Sequence, residues 1–96
     1  MANNFEWDKA KAQSNLDKHG VSFEEAATVF ADPLSLTIPD PQHSGEEDRA
    51  VITGLSLSQQ TLVVVHTERP NFIRIISARR ATKHERNNYE QGNKEP

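Results

Sequence analysis

Between Thr61 and Ser77 the chain reads TLVVVHTERPNFIRIIS, two runs dense in valine and isoleucine joined by ERPN. The LVVV run has no polar gap. An uninterrupted apolar run of this length belongs to a strand covered on both faces, with neighbours on either side. Candidate neighbours flank it. LSLTI (34–38) alternates with a period of two, which places Leu34, Leu36 and Ile38 on one face, and RAVITGLS (49–56) leads into the central run. The connections LSQQ and ERPN are short, as those between antiparallel neighbours are.

Ahead of these strands the period is helical. FEW at 5–7 reads either as a short strand or as an apolar plug. Asp8 stands at an N-cap position, and the segment that follows ends at Gly20, a natural residue just past a helix end. Ala12, Leu16 and His19 fall on one face of that helix. SFEE is a capping box, Ser22 with Glu25, and opens a second helix with Phe23, Ala26, Ala27 and Phe30 as its buried stripe. The DP pair at 32–33 stops it. TKHE at 82–85 is a second capping box, predicting a helix from Lys83 to about Gln91 whose apolar anchor is Tyr89. So short a helix must dock, bind or fray, because isolated helices below ~12–15 residues are marginal. The expected fold is α+β: two N-terminal helices, a four-stranded antiparallel sheet and a short C-terminal helix. One domain is expected over 1–91, with 92–96 a disordered tail.

Only 34 % of the 96 residues are hydrophobic, which predicts modest stability and favours a partner that covers apolar surface. No apolar run approaches the ~20 residues of a membrane helix, and MANNFEWDKAKAQ lacks the apolar centre of a signal peptide. There is no cysteine, hence no disulfide, no thiolate nucleophile and no cysteine–zinc site. A cytoplasmic location fits. The net charge of −3 hides an asymmetry. From His66 to Arg86, six cations (Arg69, Arg74, Arg79, Arg80, Lys83, Arg86) face Glu68 and Glu85, a balance of +4, so the remainder sums to −7. Screening over ~8 Å lets an acidic chain carry a basic face.

FEWDKAKAQSNLDKHGVSFEEAATVFADP, EEDRAVITGLS, LVVVHTER and IRIISARRATKHERNNYE, in this order from Phe5 to Glu90, resemble the BrnT toxins of bacterial type II toxin–antitoxin systems. The resemblance implies a RelE-like ribonuclease fold, metal-independent RNA cleavage without a cofactor, and inhibition of translation and growth. It further implies neutralisation by a BrnA-like ribbon-helix-helix antitoxin, two toxins with an antitoxin dimer. Operator DNA is then bound only through the antitoxin, and no membrane is involved.

Several residues carry that expectation. Arg74 interrupts FIRII, and an unpaired charge cannot stay in a core, so it faces a scissile phosphate or a cross-strand carboxylate. Arg79 is expected toward the site and Arg80 toward solvent or the antitoxin, since neighbours on a strand point oppositely. His66 would serve as general base or acid, or as a hydrogen-bonded structural histidine; Glu47 would be the base if histidine is not. Arg49, Arg80, Lys83 and Arg86 are candidates for the RNA backbone, with a solvated surface as the plainer role of Lys83 and Arg86. Tyr89 would stack on a base or anchor the last helix. His19, His43 and His84 offer no metal-ligand spacing, so no metal is expected. A rival expectation is a non-catalytic interaction protein, acting as co-repressor with a DNA-binding antitoxin.

Overall fold

A computed structural model describes residues 4–40 and 48–92, so Glu47, with His43 and Glu46, lies outside the described residues. The elements run β1 (Phe5–Glu6), α1 (Lys9–His19), α2 (Phe23–Thr28), a 3-10 turn (Val29–Ala31), β2 (Leu36–Pro39), β3 (Arg49–Leu55), β4 (Thr61–Glu68), β5 (Ile73–Arg80) and α3 (Lys83–Gly92). The strands form one sheet in the order β1-β5-β4-β3-β2. The gapless run LVVV thus sits in the central strand, where Leu62, Val63 and Val64 are all buried.

The expected four-stranded antiparallel sheet is corrected in two respects. Among the described residues the sheet has five strands, and it is mixed: β1 runs parallel to β5, pairing Phe5 with Ile73 and Glu6 with Arg74. Two residues carry no periodicity of their own. Their partners make the strand, Phe5 lying 5.3 Å from the Phe30 ring and Glu6 bonding Arg74. The helices are also spread along the chain, α3 following the last strand. β5 continues to Arg80, so Arg79 and Arg80 belong to the strand rather than to the turn after it.

Register sorts the side chains onto two faces. The rows Ile52–Val64–Ala78 and Ala50–His66–Ile75 point one way. Ile52, Val64, Ile75 and Ala78 join Val21, Phe23, Ala26 and Val29 in the core, so this is the face that α2 and the chain before it cover. The rows Leu36–Thr53–Val63–Arg79, Ile38–Val51–Val65–Ser77 and Arg49–Thr67–Arg74–Glu6 point the other way. A bulge at Val65/His66 shifts the β4–β5 register between them.

α1 begins as its sequence requires, Asp8 accepting the Lys11 amide at 3.0 Å, and ends at Gly20 with φ +70°. Its buried residue is nevertheless Asn15, while Leu16 is 42 % exposed. The two-residue β1 leaves the outer edge of β5 uncovered at Ala78. Asn15 completes it: its carboxamide accepts from the Ala78 amide at 3.0 Å and donates to the Ala78 and Val21 carbonyls at 2.8 and 3.0 Å. An apolar substitute would leave buried backbone groups without partners, at about 1–3 kcal/mol each.

Candidate functional site

The β3–β4 connection is a three-residue loop, Leu57–Ser58–Gln59, closed by Ser56 N–H to the Gln60 carbonyl at 2.8 Å and Gln59 N–H to the Ser56 carbonyl at 3.0 Å. α2 holds this loop from below. The Glu25 carboxylate accepts from Ser56 at 2.7 Å and from Ser58, and Thr28 Oγ1 accepts the Leu57 amide at 3.0 Å. Hydrogen bonds from Ser58 and Ser56 hold Glu25 below the usual carboxylate range. Next to the loop, Gln60 Oε1 accepts from Arg80 Nε at 3.0 Å.

Past β5 the chain turns straight into α3. Thr82 Oγ1 accepts the Glu85 amide at 3.1 Å and Glu85 accepts the Thr82 amide at 2.9 Å, a closed capping box. Glu85 also receives both Nη atoms of Arg79, at 2.8 and 2.9 Å. Those bonds, with the Thr82 amide, pull its carboxyl down to about 2. Further along, Tyr89 is buried and donates to Asp32 Oδ2 at 2.5 Å, while the same oxygen accepts the Leu55 amide at 2.8 Å. Burial, then the Asp32 carboxylate, push the Tyr89 phenol up to about 12. Tyr89 is therefore an anchor, closed to a nucleobase.

Between the loop and α3 runs an open groove of about 440 Å³, with Leu55 and Ala81 as apolar lining and Arg80 and Arg86 as cations. Gln59, Gln60, Thr61 and Glu90 complete it. Arg86 is exposed, and its side chain has no hydrogen bond or ion pair among the described residues. The groove thus gathers two guanidinium groups and one carboxylate around a concavity.

The other predicted residues lie elsewhere. Arg74 donates from Nη1 to Glu6 Oε2 at 2.6 Å, so the cross-strand ion pair forms, with a carboxylate from β1. Arg74 and Arg79 share a sheet face, but their β4 partners, Thr67 and Val63, are four residues apart, roughly 13 Å along a strand. They do not converge on one phosphate. Arg80 points to the opposite face from Arg79, as strand alternation requires. His66 is paired opposite Ile75, faces away from Arg74, and is 0 % exposed beneath the Phe30 ring at 4.8 Å. Its Nε2 lies 3.3 Å from Glu68, and Nδ1 has no hydrogen-bond partner among the described residues. A second concavity of about 560 Å³, lined by Phe30, Glu68 and Arg69 among others, lies beside it. Arg49 starts β3 in the same row as Thr67 and Arg74, and Lys83 is exposed outside the groove. Reading the sequence missed Gln59, Gln60, Thr61 and Glu90. Charge clustering pointed to the arginines, but nothing local marked the glutamines that share their groove.

Among the described residues no three His, Asp or Glu side chains are grouped to hold a metal, and no helix is long and apolar enough to cross a membrane. No curated protein is significantly similar to the chain in sequence. The crystal structure of the Brucella abortus ribonuclease toxin, BrnT, matches with a TM-score of 0.66 over 85 % of this chain and 100 % of that one. At 21 % identity this likeness establishes the fold alone. Family membership comes from the sequence: residues 7–85 match the family described as "Ribonuclease toxin, BrnT, of type II toxin-antitoxin system". This chain belongs to the BrnT family of ribonuclease toxins.

Proposed function

We propose that the chain is a metal-independent endoribonuclease toxin whose substrate lies in the groove between the β3–β4 loop and α3. The observation that carries this reading is the pairing of Arg80 and Arg86 in one open concavity that also holds Glu90. RNA brings its own nucleophile, the 2′-OH, so the protein must move protons and stabilise charge. Attack on the adjacent phosphorus forms a 2′,3′-cyclic phosphate and releases the 5′-oxygen, which takes a proton from water. Glu90 takes the hydroxyl proton, and the two guanidinium groups hold the phosphoryl oxygens with the planar geometry that suits them. The Arg79–Glu85 pair gives the helix carrying Arg86 a fixed start. His66 packs beneath Phe30, and Arg74 ties β1 to β5.

Removing one aimed donor at a site of developing charge costs on the order of 10²–10³-fold in rate. Arg80→Ala and Arg86→Ala should each lose about that much RNA cleavage in EDTA, with melting temperature little changed. Wild-type rates in both variants would remove the groove from consideration.

The toxin acts in the cytoplasm, where it inhibits translation and growth. Its partner is a BrnA-like ribbon-helix-helix antitoxin, two toxins with an antitoxin dimer, and operator DNA is bound through the antitoxin alone. Exposed Leu36 (44 %) and Ile38 (58 %) on the sheet face opposite α2 support a protein partner. Burying a side chain of this size contributes about 1.5–3 kcal/mol. The mass of the purified complex tests the stoichiometry. A second reading, a non-catalytic co-repressor, is favoured by the ion pairs that neutralise Arg74 and Arg79. Intact RNA after incubation with the pure chain in EDTA would select it.

A further inference from the structure

We infer that Gln59 is the specificity-determining residue of the groove and that its carboxamide reads an adenine beside the cleaved linkage, an inference that rests on the groove being the RNA site. Two adjacent glutamines line the groove, and the structure divides their roles. Gln60 Oε1 is committed to Arg80 Nε, which fixes that guanidinium. The Gln59 side chain is exposed in the same groove and makes no hydrogen bond among the described residues.

The backbone supplies the second argument. Gln59 is the third residue of a three-residue hairpin loop, with φ +69°, the only non-glycine residue at positive φ among those described. That position is ordinarily glycine, because a Cβ is strained there. A strained residue that serves no packing role is a sign of function when the surroundings hold it in place. Here they do: Glu25, through Ser56 and Ser58, and Thr28, through the Leu57 amide, tie the loop to α2. The carboxamide is therefore presented from a fixed backbone, while Arg80 and Arg86 take the phosphates.

A carboxamide offers one donor and one acceptor side by side. Adenine matches that pair on both exposed edges, N6–H with N7 and N6–H with N1, whereas the other bases match it on the Watson–Crick edge alone. Single-stranded RNA is read on these edges. On the N6–H/N7 edge, where adenine alone offers the pair, a bidentate contact discriminates by roughly 5- to 100-fold.

The test uses short RNA oligonucleotides that differ only at one central base, cleaved in EDTA by wild type, Gln59→Gly and Gln59→Glu. Wild type should cut the adenine oligonucleotide roughly 5- to 100-fold more efficiently than the uracil one. Gln59→Gly should bring that ratio close to unity while raising the melting temperature, a combination that a merely structural residue would not give. Gln59→Glu, which can only accept, should move the preference toward guanine, whose N1–H and N2–H donate side by side on the Watson–Crick edge. An unchanged ratio in Gln59→Gly, with cleavage still dependent on Arg80 and Arg86, overturns the inference and leaves the groove standing. A chain that cuts no RNA, or cuts it independently of both arginines, overturns both.

Discussion

Two four-residue segments, SFEE at 22–25 and TKHE at 82–85, have the same pattern and open helices in different ways. Both Ser22 and Thr82 accept the amide three residues on, at 3.0 and 3.1 Å. At α3 the reciprocal bond forms, Glu85 accepting from the Thr82 amide. At α2 the carboxylate of Glu25 turns away from the cap and binds the serines of the β3–β4 loop, whose backbone reaches it by tertiary folding. A capping-box glutamate thus closes its own cap where that amide is its best donor. It is drawn off where several hydroxyls arrive together. In both places the glutamate fixes one wall of the groove: the loop in one case, the helix in the other.

The largest effect is expected at Glu85. Glu85→Ala removes half the cap and strips both bonds from Arg79. The pair's side chains are 42 % and 32 % exposed, so solvent screening holds its share to well under 1 kcal/mol. With about 1 kcal/mol for the cap, the total loss should be roughly 1–2 kcal/mol in a denaturant titration. Cleavage should fall too, because Arg86 rides on this helix. Acid makes the same cut without mutation. The folded Glu85 carboxyl is pulled to about 2 from an ordinary 4.5, so the unfolded chain takes up the proton first as pH falls. The stabilisation is complete above pH 4.5 and is lost progressively toward pH 2. The stability gap between wild type and Glu85→Gln should close over that interval; a gap independent of pH would contradict the pairing.

Glu25→Ala should cost somewhat less, about 1–1.5 kcal/mol, chiefly through the buried Ser56 hydroxyl left without its acceptor. Its cap survives, because Ser22 still accepts the residue-25 amide. The informative readout is local: amide exchange at Leu57–Gln60 should quicken while that of α2 stays slow. Faster exchange along α2 instead would mean that the glutamate serves its own helix after all.

What the sequence disclosed follows the range of the interaction. Both caps, Gly20, the DP stop and the central LVVV strand are decided within a few residues, and each is where its local chemistry requires. Distant partners were not legible. β1 exists only because residues 5 and 6 meet 73 and 74, and Asn15 is buried only because β5 has an unfilled edge at Ala78. The arginines show the same limit. Alternation separates Arg79 from Arg80, but choosing the face with the groove needs the register and the path of α3. His66 stands near Arg74 along adjacent strands, yet the bulged register sets it opposite Ile75 and sends it beneath Phe30.

The smallest effect is the sharpest test of the contrast. Ser22→Ala and Thr82→Ala each remove one cap bond, and each should cost about 0.5–1 kcal/mol. The two differ in coupling to their glutamates. Thr82 and Glu85 hold each other's amides, so losing one frees the other to move, and a double-mutant cycle should give about 0.5 kcal/mol of interaction. The Ser22 hydroxyl accepts the amide of Glu25, whose carboxylate is occupied by Ser56 and Ser58, so the side chains share no bond and their effects should add within about 0.3 kcal/mol. Equal coupling in the two cycles would mean that Glu25 returns to its cap in solution, and the loop that presents Gln59 would then lose the clamp that fixes it.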